Sequence, residues 1–211
     1  MKKNSYTIVS TVVFLVCFLV IFVETLLGGS GINIILNEKL TALHTPVLIS
    51  FMITITNIFQ PTILAILSII VSIVFVHKKR FDLASIFLGT MFAGIILGSA
   101  IKSLAHITRP AGASLVAFSG ASFPSGHMLA GTVFFTILFY CLFGFFKTKS
   151  SKVAFGVISF VIVFTIGFSR LYLGVHWLSD VLGGLFLGLF ISSLSIFLYN
   201  VLYKNRLAQK I

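Results

Sequence analysis

The sequence predicts an all-α fold, a polytopic membrane bundle of six transmembrane helices with both termini cytoplasmic, forming a single domain over residues 1–211. Three observations predict it. The chain is 58% hydrophobic and only 9% charged, with a mean hydropathy of +1.16, whereas a soluble domain carries about 25% charged residues. Its apolar residues fall into six long runs, and a span needs about 20 of them to cross roughly 30 Å of hydrocarbon. Finally, its cations gather in alternate connections between those runs.

Taken in order, the runs are 6–27, 47–76, 83–101, 127–146, 153–169 and 177–203. The first follows Lys2 and Lys3 and so resembles a signal peptide. No A-x-A-like cleavage site follows it and its apolar core is long, so it reads as an uncleaved first helix. The connection 28–46 is Gly-rich, carries Glu38, Lys39 and His44, and is expected to hold a short surface helix near the lipid entrance. The second and sixth runs exceed the minimum length and leave room for tilt or interfacial turns. Asn57, Gln60 and Pro61 interrupt the second, where a proline kink is the simplest account. Gly94 and Gly98 in the third run, and Gly183, Gly184 and Gly188 in the sixth, suit close helix packing. Cys17 and Cys141 lie inside spans as packing residues, since two cysteines make no disulfide framework. No repeat, low-complexity segment or long linker divides the chain, and nothing in it specifies an oligomeric state.

A net charge of +11 would suggest nucleic acid in a soluble protein; here its placement excludes that partner. Lys2, Lys3, Lys78, Lys79, Arg80, Lys147, Lys149, Lys152, Lys204, Arg206 and Lys210 account for 11 of the 15 Lys and Arg. With six spans, all lie on one face, which the positive-inside rule makes cytoplasmic. Membrane lipids with anionic head groups are their natural partners. Only Lys39, Lys102, Arg109 and Arg170 remain for the outer face.

Three outer segments carry the chemistry. In "KSLAHITRP" (102–110), a continued helix would place Lys102 and Arg109 two turns apart, roughly 10.5 Å, on one face. Pro110 would then end or turn that helix. Two snorkelling interfacial cations are the plainer account, and His106 reads as interfacial rather than catalytic. In "FPSGH" (123–127), Gly126 permits close backbone approach, Ser125 offers a hydroxyl, and the N–H groups opening the fourth span form an anion site. A simple N-cap explains Ser125 but leaves His127 unexplained. In "SRLYLGVHWLSD" (169–180), His176 and Asp180 have i,i+4 spacing and face each other on a helix. A carboxylate bound to one imidazole nitrogen fixes the tautomer and leaves the other free to attack. A carboxylate near the membrane is costly unless partnered.

Brought together, Lys102, Arg109 and Arg170 against Asp180 give a site of net +2, suited to a phosphate monoester. Arginine grips phosphate oxygens in bidentate fashion and lysine adds a point charge. Of the two histidines, one can attack phosphorus and the other protonate the leaving oxygen. A metal site fits poorly. Mg²⁺ or Mn²⁺ seeks several carboxylates, and the chain has only Glu24, Glu38, Asp82 and Asp180. Zinc on His127, His176 and Asp180 is compatible with the spacing, but three cations would crowd it. No metal or other cofactor is expected.

These segments resemble the type 2 phosphatidic acid phosphatase family of membrane lipid phosphatases, whose pattern is K-x6-R-P, then P-S-G-H, then S-R-x5-H-x3-D. The sequence supplies Lys102 with Arg109-Pro110, Pro124-Ser125-Gly126-His127, and Ser169-Arg170 with His176 and Asp180. The resemblance implies that His176 is a nucleophile forming a phosphohistidine, Asp180 its orienting partner, and His127 the general acid. It implies that Lys102, Arg109, Ser125, Gly126 and Arg170 cradle the phosphate, and that no metal is used. The substrate class so implied is a lipid phosphate or diphosphate drawn from the membrane: phosphatidylglycerophosphate, undecaprenyl diphosphate or phosphatidic acid. Two other functions share these residues. A phosphotransferase would pass the phosphoryl group to an alcohol, but no long outer domain exists to bind one. A phosphate or lipid transporter would want ionisable groups or broken helices near the midplane.

Overall fold

The structure, a computed structural model, describes residues 2–29, 31–110, 114–116 and 120–204, the side chains of 2–4 and 204 excepted. Arg206 and Lys210, and parts of the 111–122 loop, lie outside the described residues.

The described chain is helical: α1 (Lys2–Leu26), α2 (Gly31–Thr41), α3 (Pro46–Ile58), α4 (Pro61–His77), α5 (Phe81–Ala105), α6 (Gly126–Leu142), α7 (Lys149–Tyr172) and α8 (Leu178–Tyr199), closed by a π-helical turn at Asn200–Lys204. Local chemistry sets several boundaries. Thr45 caps α3 by accepting from the Leu48 N–H, with Pro46 in the first turn, and Thr148 caps α7 through the Ser151 N–H.

Four helices (α1, α5, α7 and α8) are long and apolar enough to cross a membrane. The second sequence run is not one straight helix: α3 and α4 meet at a 44° bend. Pro61 is the cause. It pushes Gln60 to φ −59°, ψ 143°, outside the helical region, and withholds an N–H from the preceding turn. Counted as one span, the pair makes five; α6 is apolar but only 17 residues long. Much of α1, α4 and α7 turns large apolar side chains outward, among them Val12, Ile70 and Phe160, as surfaces facing lipid do.

The core runs between α5, α6 and α8, with Phe87, Val133, Ile137, Leu187 and Ile191 at its centre. The expected glycine role holds. A Cβ on Gly188 would come within 2.8 Å of Thr132, and one on Gly98 within 2.4 Å of Leu129, so α8 and α5 lie as close to α6 as only glycine permits. Polar contacts join α1 to α8, where Ser10 and Thr11 reach Ser193 at 3.0 and 2.7 Å. Cys141 is buried and neither cysteine is in a disulfide. The antiparallel course of α5 to α8 puts Lys102, Gly126, Arg170 and Asp180 at one end. At the other end, Tyr199 donates to Asp82 at 2.6 Å and Arg80 binds the same carboxylate through two nitrogens.

Candidate active site

The site grows from the backbone around Asp180. This residue occupies the third position of α8, and its side chain accepts the Trp177 N–H at 2.8 Å, satisfying one of the donors a helix start leaves open. The same oxygen lies 3.2 Å from His176 Nδ1, while the other accepts from Ser122 Oγ at 3.2 Å. Asp180 is fully buried. The pairing of His176 with Asp180 is therefore found, but by a different route from the one the spacing suggested. α8 starts at Leu178, so His176 precedes the helix, and the chain turning into it brings the two together.

The partners of His176 fix its tautomer. A carboxylate only accepts, so Nδ1 carries the proton; on the other side Arg109 Nη1, which only donates, stands 3.4 Å from Nε2. In that tautomer Nε2 carries the lone pair, on the side of the ring that faces Arg109. Burial, then the positive charges of Arg170, Arg109 and Lys102, hold His176 well below its usual pKa of 6.5, so the ring is neutral at pH 7.

Arg109 corrects a sequence expectation. It does not share a helix face with Lys102. α5 stops at Ala105, where His106 turns left-handed at φ +48°, four residues before Pro110. Arg109 reaches the site from the non-helical segment that follows, donating to the carbonyls of Gly120, Val175 and Ala121 at 3.1, 2.7 and 3.3 Å. Lys102, still on α5, donates to the Ala121 and Ser122 carbonyls at 2.8 and 3.3 Å. Both cations thus grip the strand of chain leading into the Pro124–Gly126 turn. His106 is exposed, as an interfacial residue would be.

The Pro124–Gly126 turn is locked onto α8. The Ser125 N–H donates to the Asp180 carbonyl at 3.0 Å, and a Cβ on Gly184 would meet the Ser125 carbonyl at 2.7 Å. Phe123 beneath is fully buried and stacked on Phe18 and Phe22. Ser125 occupies the N-cap position of α6, yet its hydroxyl makes no capping bond. It is fully buried and has no hydrogen-bond partner among the described residues. The plain N-cap account therefore fails, and the hydroxyl is left to bond a ligand or water. Gly126 opens α6, and a Cβ there would meet only Pro61 Cγ, at 3.8 Å; neither packing nor backbone angle demands glycine, and the space lies open toward Lys102. His127 follows, largely buried, within electrostatic reach of Arg170 and His176. Arg170 is fully buried at the end of α7 and donates from Nη1 to Thr56 Oγ1 at 3.0 Å.

All eight residues expected from the sequence therefore gather at one end of the bundle. Sequence reasoning missed Ser122, Trp177 and Thr56, which hold Asp180 and Arg170. They carry no motif of their own; a buried carboxylate's need for several donors was the only sign that a residue such as Ser122 existed. Among the described residues, no three His, Cys, Asp or Glu side chains are grouped to hold a metal ion. From Lys102, Pro124 and Gly126 a cavity of about 130 Å³ runs between α4, α5 and α6, walled by Pro61, Gly94, Gly98, Leu129 and Val133.

The sequence and fold are similar to those of known proteins. Residues 82–206 match the family model described as the PAP2 superfamily. The chain is 33% identical over 159 residues to phosphatidylglycerophosphatase B of Bacillus subtilis (strain 168), covering 73% of this chain and 76% of that protein. Its fold is similar to the crystal structure of a transmembrane PAP2-type phosphatidylglycerolphosphate phosphatase from Bacillus subtilis, with a TM-score of 0.81 and 26% identity over 96% of this chain and 97% of that one. Aquifex aeolicus LpxE shares the fold at a TM-score of 0.64, with 23% identity over 79% of this chain and 96% of that chain. With more than half of its length matched and every motif residue at one site, the chain belongs to the PAP2 superfamily and is a membrane phosphatase of that family.

Proposed function

We propose that the protein hydrolyses a lipid phosphate or diphosphate through a phosphohistidine on His176, without a metal. The observation that carries this reading is the polarised imidazole: Nδ1 on buried Asp180 and Nε2 facing Arg109. In the first step the Nε2 lone pair attacks phosphorus and the bond to the lipid oxygen breaks. His127, entering the step as an imidazolium supported by the bound phosphate dianion, gives that oxygen its proton and is left neutral. Asp180 stabilises the charge that develops on the ring. Lys102, Arg109, Arg170, the Ser125 hydroxyl and the N–H groups opening α6 hold the phosphoryl oxygens. In the second step water attacks phosphorus, His127 takes its proton, the P–N bond breaks and inorganic phosphate leaves.

A lipid fits better than a soluble ester because the apolar cavity meets the site at Lys102 and Gly126, where its walls at Gly94 and Gly98 would suit the first carbons of a chain. Phosphatidylglycerophosphate, undecaprenyl diphosphate and phosphatidic acid all present a phosphate at the head of such a chain. The similarity to phosphatidylglycerophosphatase B favours the first. We assign six spans, taking α3 with α4 as one and α6 as another. Both termini are then cytoplasmic and the site faces outward, because the 77–81 and 147–152 connections hold Lys78, Lys79, Arg80, Lys147, Lys149 and Lys152. The test is purified protein given a panel of lipid phosphates, with phosphate release measured before and after exhaustive EDTA treatment. Release from a lipid phosphate that survives EDTA is expected. No release, or a loss restored by one divalent ion, overturns the reading.

A further inference from the structure

The residues that hold Arg170 point to a role for a side chain outside the matched family region. Thr56 lies on α3, two residues before that helix ends at the bend, and is 5% exposed. Its hydroxyl meets both Arg170 Nη1 and Ser169 Oγ, each at 3.0 Å. The direction of this chain can be worked out. Ser169 donates its own hydrogen to the Ile166 carbonyl at 2.7 Å, so at Thr56 it accepts. The Thr56 hydrogen therefore points to Ser169, and its lone pairs face the guanidinium. Arg170 is left with an acceptor that is oriented, buried and neutral.

We propose that Thr56 is a positioning residue for phosphate binding: it fixes the aim of Arg170 through a neutral acceptor, which itself cancels none of the guanidinium charge. The inference rests on the phosphate-site reading given above. A carboxylate in its place would hold Arg170 as firmly, but would cancel the charge the phosphate needs. A serine keeps the hydroxyl, whereas a valine keeps the shape and loses it. Thr56 sits where α3 and α4 part, and Pro61 at the other side of the bend walls the apolar cavity. The broken span thus reaches both Arg170 and the proposed lipid chain.

The test uses the full-length protein in detergent, with Thr56→Val, Thr56→Ala, Thr56→Ser and Thr56→Asp. Binding of orthovanadate is measured by calorimetry, kcat and KM on a lipid phosphate are measured separately, and thermal unfolding reports the fold. Loss of one charged hydrogen bond should weaken vanadate binding about 5- to 30-fold in Thr56→Val. The same loss is expected in Thr56→Ala, and KM should rise more than kcat falls. Thr56→Ser should stay within about two-fold of the wild type, the hydroxyl being kept. Thr56→Asp should bind vanadate more weakly than Thr56→Val while unfolding no earlier. Equal losses in the serine and valine variants would show that the methyl group matters and overturn the proposal, as would unchanged vanadate binding in Thr56→Val or tight binding in Thr56→Asp. If Thr56→Val fails to fold, the serine and alanine pair decides by the same comparison. Vanadate binding needs no turnover. An inactive wild type with Thr56-dependent binding would sink the proposed reaction alone, and a wild type that binds no vanadate would sink both.

Discussion

Replacing Asp180 with Asn probes the proposed mechanism at its most constrained point. The amide has nearly the shape of the carboxylate, so the fold should survive. Its oxygen can still accept from the Trp177 N–H and from His176 Nδ1, and its NH₂ group can turn to Ser122 Oγ, a hydroxyl that accepts as readily as it donates. What disappears is the negative charge. When Nε2 bonds to phosphorus the ring becomes cationic, 3.2 Å from the carboxylate. At an effective dielectric of about 20, a full charge pair at that distance is worth roughly 5 kcal/mol. The neutral ring of the resting enzyme feels little of this attraction, so it acts almost wholly on the transition state. The expected loss is about three to four powers of ten in kcat, with KM little changed. The assay is phosphate release from the preferred lipid phosphate, with thermal unfolding as the control. A variant that keeps more than about a tenth of wild-type kcat would refute the claim that charge develops on His176.

Three further predictions follow from the same geometry. His176→Ala should abolish turnover in a protein that still folds, and acid-labile phosphate trapped by rapid quench should appear on the wild type alone; residual turnover in the variant would end the nucleophile assignment. Because His176 is held neutral in the fold, the unfolded chain binds a proton there below about pH 6.5 that the folded chain refuses. Folding stability should therefore fall as pH drops from 7.5 to 5.5, and thermal unfolding of His176→Asn should show a smaller drop than the wild type. An equal drop would place the acid sensitivity elsewhere. For sidedness, single cysteines at Ser114 or Gly120, in a chain lacking Cys17 and Cys141, should react with an impermeant maleimide on intact cells. Cysteines in 147–152 should react only after lysis, and the reverse pattern would invert the proposed topology.

The sequence carried the chemistry of the site more legibly than its scaffold. Side-chain types that are costly near a membrane stand out in an apolar chain, so Lys102, Arg109, Arg170, His127, His176 and Asp180 could be picked out and assigned to one end. What a side-chain pattern does not contain is the backbone. Beside His176 Nε2, the partners of Lys102 and Arg109 include carbonyls at 120–122 and 175, groups every residue has, so no residue type marks them. The helical continuation to Arg109 failed for a related reason. Pro110 was a visible stop signal, but the helix ends earlier, at Ala105, where His106 turns left-handed. Thr56 and Ser122 read as ordinary small polar residues, because a hydroxyl in an apolar run is cheap when it bonds its own helix, as Ser72 and Thr90 do. The bend at Pro61 was legible for the opposite reason, since proline dictates its own local geometry.

The way the three cations are held suggests why this arrangement suits a phosphate. Lys102 and Arg109 donate to peptide carbonyls and Arg170 to a hydroxyl, all neutral acceptors. Each side chain is oriented before substrate arrives, at the cost of crowding like charges in a poorly hydrated place. The nearby carboxylate, Asp180, is turned toward His176, Ser122 and the Trp177 N–H. These like charges therefore oppose folding, and a dianion bound among them would relieve the repulsion. A ligand bound by the folded chain alone stabilises it in proportion to RT ln(1 + [L]/Kd). Phosphate or vanadate should accordingly raise the unfolding temperature of the wild type, and less so that of Thr56→Val. The same relief would act most strongly on the pentavalent phosphorus of the transition state, where charge on the equatorial oxygens is greatest. On the proposed mechanism, orientation by neutral acceptors would convert a destabilised resting site into preferential binding of the reacting phosphoryl group.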